Sequence, residues 1–157
     1  MNKSIIKYFD GTGTDDKGRT LNATLAWSDQ KLESTHDYIQ WWFPLDRRSS
    51  YNASAPIVDH ETALEFVACM KCKTNLLKAY NRFHRFIMND LPNRFYTLNH
   101  NWLRITRVIT SLRLLGLHEQ SGHFYNDVIN LYKTHETMID HNTLLHWADA
   151  AGKQLDV

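Results

Sequence analysis

The sequence predicts an all-α fold, a compact array of about five or six helices around a central buried helix at about 100–115. Two observations carry this. Apolar residues recur at three- and four-residue steps over 71–89, 100–115 and 119–134, the spacing of one helix face. No alternating run of β-branched residues bounded by turns stands out, so few or no strands are expected. The 157 residues are expected to form one domain over 1–157, long enough to bury a real core.

Residues 1–20 are expected to be mostly loop, and 10–20 are rich in Gly, Thr and Asp. Their spacing does not fit an EF-hand, and Gly11-Thr12-Gly13-Thr14 is too short to cradle a phosphate. Ser28 is a good N-cap and Asp29 suits a first turn. The helix they start carries Leu32, Ile39 and Phe43 toward one side and stops before Pro44. A connector over 44–58 holds Pro44, Pro56 and several serines, and Asp59 then caps a short helix with Ala63, Leu64 and Val67.

The helix at about 71–89 places Cys72, Leu76, Tyr80, Phe83 and Ile87 on an apolar stripe. Lys71, Lys78, Arg82 and Arg85 line up beside it as a basic ridge. After a connector over 89–97 with Pro92, Asn99 caps the 100–115 helix and Gly116 stops it. Trp102, Ile105, Val108, Ile109 and Leu112 share one face of that helix, with Leu103 and Leu114 opposite. A helix so apolar all round is buried on several sides and belongs at the centre. The helix at about 119–134 turns Phe124, Val128, Leu131 and Tyr132 inward, and the last, at about 142–151, has Leu144, Leu145, Trp147 and Ala148.

Apolar residues at 43% and charged residues at 22% are ordinary for a globular chain and exclude a disordered one. No apolar run reaches the roughly 18 residues of a membrane-spanning helix. Met1 to Lys7 has no apolar signal core, so no secretory leader is expected, and the place expected is the cytoplasm. The net charge of +1 hides an asymmetry. Residues 71–113 hold nine Lys/Arg against Asp90 alone, while the segments on both sides are acidic. Such a block meets either an anionic partner, a phosphate or nucleic acid, or the chain's own acidic flanks folded against it.

Catalytic and metal signatures are thin. Cys69-Met70-Lys71-Cys72 is a lone CxxC, and a structural zinc site wants a second pair. On a helix both thiols would fall on the apolar side, so two reduced, packed cysteines are expected, without metal or redox work. His118 and His123 are five apart, as are His141 and His146, and five is not a metal-ligand step on one helix face. No nucleophile elbow appears, so neither an enzyme nor a cofactor is expected. Phe86, Phe95, Tyr96 and Trp102 near the basic ridge would suit stacking on nucleic acid, though no binding module is spelled out.

Two stretches pack rare residue types into short runs: His36-Asp37-Tyr38-Ile39-Gln40-Trp41-Trp42-Phe43-Pro44, and Asn99 to Leu117, which reads NHNWLRITRVITSLRLLGL. With Gly18-Arg19-Thr20-Leu21, Ser28 to Glu33 and Asn52 to Pro56, they resemble the conserved region of the opioid growth factor receptor. The resemblance runs from about Phe9 to about Ala151. It implies a receptor-like, peptide-binding domain, since animal members are described as binding an enkephalin peptide and sitting around the nucleus. This chain is expected to be that region alone, without the long extensions and basic localisation signals of the animal proteins.

Between the two stretches a site is expected. Arg104 and Arg107 sit one turn apart amid apolar residues, and a buried arginine needs an anionic partner. Asp37 is the candidate, making either a core Arg–Asp staple or one wall of an anion pocket. Tyr38 and Trp41 complete the candidate binding set. Trp41 and Trp42 point about 100° apart on a helix, so one of them is expected to be partly exposed.

Overall fold

The computed structural model describes residues 2–89, 100–134 and 141–153. Nine helices lie among them: α1 (Lys3–Asp10), α2 (Leu21–Leu25), α3 (Asp29–Ser34), α4 (Ile39–Trp42), α5 (His60–Ala68), α6 (Met70–Met88), α7 (His100–Leu114), α8 (His118–Thr134) and α9 (His141–Ala150). No strand occurs among the described residues, where only an isolated parallel bridge joins Leu45 to Ile57. The fold is all-α, as the periodicity predicts, with short helices in its first third that the periodicity does not show. The expected connector at 89–97, the Asn99 cap, Phe95 and Tyr96 lie outside the described residues, as does the Tyr132 side chain.

The helices form two groups. In the first, α1, α2 and α5 pack on α6; in the second, α8 and α9 pack on α7 and on each other. Aromatic rings join the groups. Phe83 on α6 meets Phe43 at 5.7 Å and Phe124 on α8 at 6.2 Å. Trp102, Ile105, Val108, Ile109 and Leu112 of α7 are all buried, while Leu103 opposite them is exposed, so α7 is buried on one broad face and not all round as its sequence suggests. Polar bonds tie α7 to its neighbours. Ser111 Oγ donates to the Pro44 carbonyl at 2.8 Å, Ser121 Oγ to that of Ile109 at 2.8 Å, and Trp147 Nε1 to that of Trp102 at 3.2 Å. Gly116 ends α7 with a φ of 90°. A side chain there would also be strained sterically, since a Cβ would fall 2.9 Å from Val67 Cγ2.

Four further expectations are corrected. Residues 1–20 are not mostly loop: α1 occupies 3–10, capped by Asn2 and closed by a left-handed Gly11. Ile5, Tyr8 and Phe9 supply a buried face at i, i+3 and i+4, which holds so short a helix by packing. The expected helix from Ser28 to Phe43 is two, broken where Thr35 turns extended (φ −102°, ψ 130°). The residues at the break, Ser34 to Asp37, are poor helix formers. Trp41 and Trp42 are both buried. Their indole N–H groups donate to Asp16 Oδ1 at 3.0 Å and Thr24 Oγ1 at 2.9 Å.

The fourth of these corrections concerns the cysteines, which are joined as a disulfide with Cα atoms 5.2 Å apart. The helix begins at Met70, between the two cysteines. Cys69 is therefore its N-cap in extended conformation, and its Sγ accepts from Cys72 N–H at 3.1 Å. Cys72 is fully buried, so the packing half of the expectation holds for that residue.

Candidate functional site

Arg104 and Arg107 project from α7 toward the first signature segment, and there their surroundings diverge. Arg104 is only 4% exposed. Its Nη1 donates to the Leu32 carbonyl at 2.9 Å, and its Nη2 to those of Thr35 at 2.8 Å and Glu33 at 3.4 Å. These are the orphan carbonyls at the end of α3, where the helix dipole favours a cation. Nη2 also donates to His36 Nδ1 at 3.3 Å, and the guanidinium lies 5.6 Å from the Tyr38 ring centre. Burial, then the Arg104 charge, pushes the His36 pKa below its usual value. The ring is thus neutral at pH 7, accepting at Nδ1 and protonated at Nε2.

Asp37 does not serve Arg104. Its carboxylate pairs with Arg19 at 2.9 Å, and Arg19 is shared with the buried Asp15 at 2.7 Å. Burial works against the Arg19 cation, but its hydrogen bonds to the Asp15 and Asp37 carboxylates, with their charges, outweigh it and raise its pKa. The expected Arg–Asp staple is therefore replaced by an arginine on carbonyls. Carbonyls can do this because a helix end presents several of them together within one guanidinium's reach. Tyr38 and Trp41 are buried, and Tyr38 OH donates to the Leu32 carbonyl at 3.0 Å. Both belong to the core rather than to an open surface.

Arg107 is half-buried, and its Nη1 donates to the Phe43 carbonyl at 3.1 Å. No carboxylate pairs with it among the described residues. Burial, then the neighbouring Arg47 charge, pushes its pKa down to about 10. Arg107 stands in a cleft of about 810 Å³ between the two signature segments. The lining brings together Arg47, Arg48, Arg104 and Arg107, with Ser49, Tyr51 and Leu103, and it includes no Asp or Glu. Tyr51 and Leu103 are 79% and 52% exposed, and give the cleft an apolar rim. Gln40 forms part of the wall, its Oε1 buried with no partner among the described residues.

Arg104 and Arg107 thus come together at the cleft, while Asp37, Tyr38 and Trp41 lie outside its lining. Arg47, Arg48 and Ser49 were not singled out by the sequence. Their signal is two adjacent arginines followed by two serines inside a connector. The basic ridge is split. Lys71, Lys78 and Arg85 are exposed, but Arg82 pairs with Asp29 at 2.8 Å and donates to the Trp27 carbonyl at 2.7 Å. On the far side His84 bonds Asp127 of α8 at 2.9 Å. Phe86 and Trp102 are buried and unavailable for stacking. No metal-holding group of His, Cys, Asp or Glu occurs among the described residues.

The conserved region of the opioid growth factor receptor matches residues 17–149. The chain is 32% identical to the opioid growth factor receptor of Rattus norvegicus over 127 residues, 70% of this chain and 21% of that protein. To opioid growth factor receptor-like protein 1 of Xenopus tropicalis it is 36% identical over 103 residues, 55% of this chain and 20% of that one. The Homo sapiens opioid growth factor receptor is 30% identical over 132 residues, 72% and 19% of the two chains. The chain therefore spans about a fifth of the length of these relatives. No solved structure matches. With both signature segments inside the matched span and folded against each other across one cleft, the chain belongs to the opioid growth factor receptor conserved-region family.

Proposed function

We propose that this chain is a non-enzymatic binding domain that takes up a peptide ligand in the cleft between the signature segments, seating an anionic group of the ligand on Arg107. The observation that carries the reading is a cleft of about 810 Å³ lined by four arginines and no carboxylate. That volume suits a ligand of a few residues. A half-buried cation bonded to one carbonyl is costly in an empty site and useful in a filled one. The relatives' name, receptor, supports a ligand-binding role. A cytoplasmic setting belongs to the same reading; no helix among the described residues is long and apolar enough to cross a membrane.

Titration of the protein with an enkephalin peptide and with its C-terminal amide tests this. The free acid is expected to bind more tightly, and Arg107→Ala is expected to weaken it by at least about tenfold. Equal binding of acid and amide, with Arg107→Ala silent, rules the cleft out as the site of that peptide. Polyanion binding on α6 is the second reading, favoured by the exposed Lys71, Lys78 and Arg85. The Arg82–Asp29 pair removes one of its four cations.

A further inference from the structure

The anion itself has a readable charge. Three arginines in the cleft, Arg47, Arg48 and Arg107, come from two elements far apart in sequence, the connector after α4 and the middle of α7. Arg48 and Arg107 have no acidic partner among the described residues. Arg47 has only its exposed chain neighbour Asp46, at 3.6 Å. Arg104 adds a fourth charge, though its donors are committed to α3. A single carboxylate offers one negative charge and two oxygens, and one guanidinium fork satisfies it. It would leave the remaining arginines facing one another uncompensated. Arg47 already depresses the Arg107 cation, so the two are close enough to repel.

A neutral donor stands beside them. Ser49 Oγ accepts from the backbone N–H groups of Tyr51 at 3.2 Å and Asn52 at 3.1 Å. Both acceptor directions of that hydroxyl are filled, so its own hydrogen is left to donate. Thr106 and Thr110, also on the lining, spend their hydroxyl hydrogens on the Trp102 and Thr106 carbonyls. The open donors of the cleft thus include Arg47, Arg48, Arg107 and Ser49.

We infer that the group this cleft receives is a phosphate monoester dianion, carried in the setting proposed above by a phosphorylated side chain of the peptide ligand. The inference rests on the cleft being the ligand site. A phosphate monoester brings a charge of about −1.5 to −2 and three acceptor oxygens at pH 7, which match several arginine forks and a hydroxyl at once. The apolar rim at Tyr51 and Leu103 receives the groups flanking the phosphorylated residue.

Calorimetric titration with five probes tests it: inorganic phosphate, a short phosphoserine peptide, the same peptide with serine, the same with aspartate, and adenosine monophosphate. The phosphoserine peptide is expected to bind at least about tenfold more tightly than the aspartate peptide at pH 7.5. That advantage is expected to shrink as the pH falls through about 6, where the phosphate dianion takes up a proton and becomes a monoanion. Arg48→Ala, on an exposed connector, tests the site without touching the core and is expected to cost about tenfold. Arg107→Lys keeps the charge, loses the fork and is expected to weaken binding similarly. Adenosine monophosphate binding more tightly than the phosphopeptide supports the phosphate site and assigns its source to a small molecule. Equal binding of aspartate and phosphoserine peptides keeps the cleft as ligand site and overturns the dianion. Absence of binding by every probe, or binding indifferent to both substitutions, overturns the cleft and the dianion together.

Discussion

Arg104 and Arg107 lie one turn apart on the same helix, and the fold treats them oppositely. Arg104 is sealed in and distributed over the carbonyls of Leu32, Glu33 and Thr35, so its charge stabilises the end of α3. Arg107 keeps a single carbonyl bond, shares its surroundings with Arg47, and opens onto a cleft without carboxylates. The difference lies in which backbone each guanidinium reaches. The end of α3 offers several acceptors to Arg104, while the C-cap of α4 at Phe43 offers one to Arg107. Burial alone therefore does not separate a structural cation from a binding one; the count of acceptors around the fork does.

The largest effect that would break this contrast comes from Arg104. Replacing it with Met keeps much of the volume and removes the donors. The orphaned carbonyls are expected to cost on the order of 3 kcal/mol in urea unfolding. Arg107→Met is expected to leave the urea midpoint nearly unchanged. Equal losses from the two substitutions would erase the distinction.

The pH dependence of Arg107 sharpens it. Burial and Arg47 lower its folded pKa from the ordinary arginine value to about 10, so the charged form is disfavoured in the fold. Between about pH 10 and the ordinary arginine pKa the unfolded chain binds the extra proton, and stability attributable to this group rises with pH through that window. Below it the charge costs stability. Arg107→Gln is thus expected to be at least as stable as the parent at pH 7, with the difference narrowing above pH 10. Paired thermal melts across pH 7–11 measure it. Anion binding at the cleft should fade over the same window as Arg107 loses its proton.

How much of this was visible in the sequence follows from the range of each interaction. The periodicity of Cys72, Leu76, Tyr80, Phe83 and Ile87 marks α6 because helix faces are local. The buried face of α7 was visible for the same reason. The break between α3 and α4 was not, because Leu32, Ile39 and Phe43 keep helical spacing across it, and Arg104, about seventy residues on, takes up the carbonyls it frees. The cleft was half visible. Arg104 and Arg107 stand out amid apolar neighbours, but Arg47 and Arg48 look like ordinary connector charges until the fold brings them to α7. Asp37 was the nearest acid in the other signature, and nothing local reveals that Arg19 holds it.

Arg82 supplies an intermediate case on the ridge of α6. It has one carboxylate and one carbonyl, and its side chain is 12% exposed. Arg82→Gln is expected to cost about 1.5 kcal/mol, less than Arg104 because fewer acceptors are orphaned. A double-mutant cycle with Asp29→Asn measures how much of that is the ion pair.

The rest of the ridge should show the smallest effect, and it completes the contrast with the cleft. Lys71, Lys78 and Arg85 are exposed on α6, and mutual repulsion between like charges there is screened by water and salt. Replacing all three with Gln is expected to change unfolding free energy by no more than about 0.5 kcal/mol. Binding of the phosphoserine peptide to the cleft is expected to stay within about twofold of the parent at 150 mM salt, since the Debye length there is about 8 Å. Charges on the outer face of α6 then act only as a diffuse field. A tenfold loss of phosphopeptide binding in the triple variant, with Arg48→Ala silent, would move the anion site from the cleft to α6. It would also make the single acceptor on Arg107 an accident of packing rather than the mark of a site.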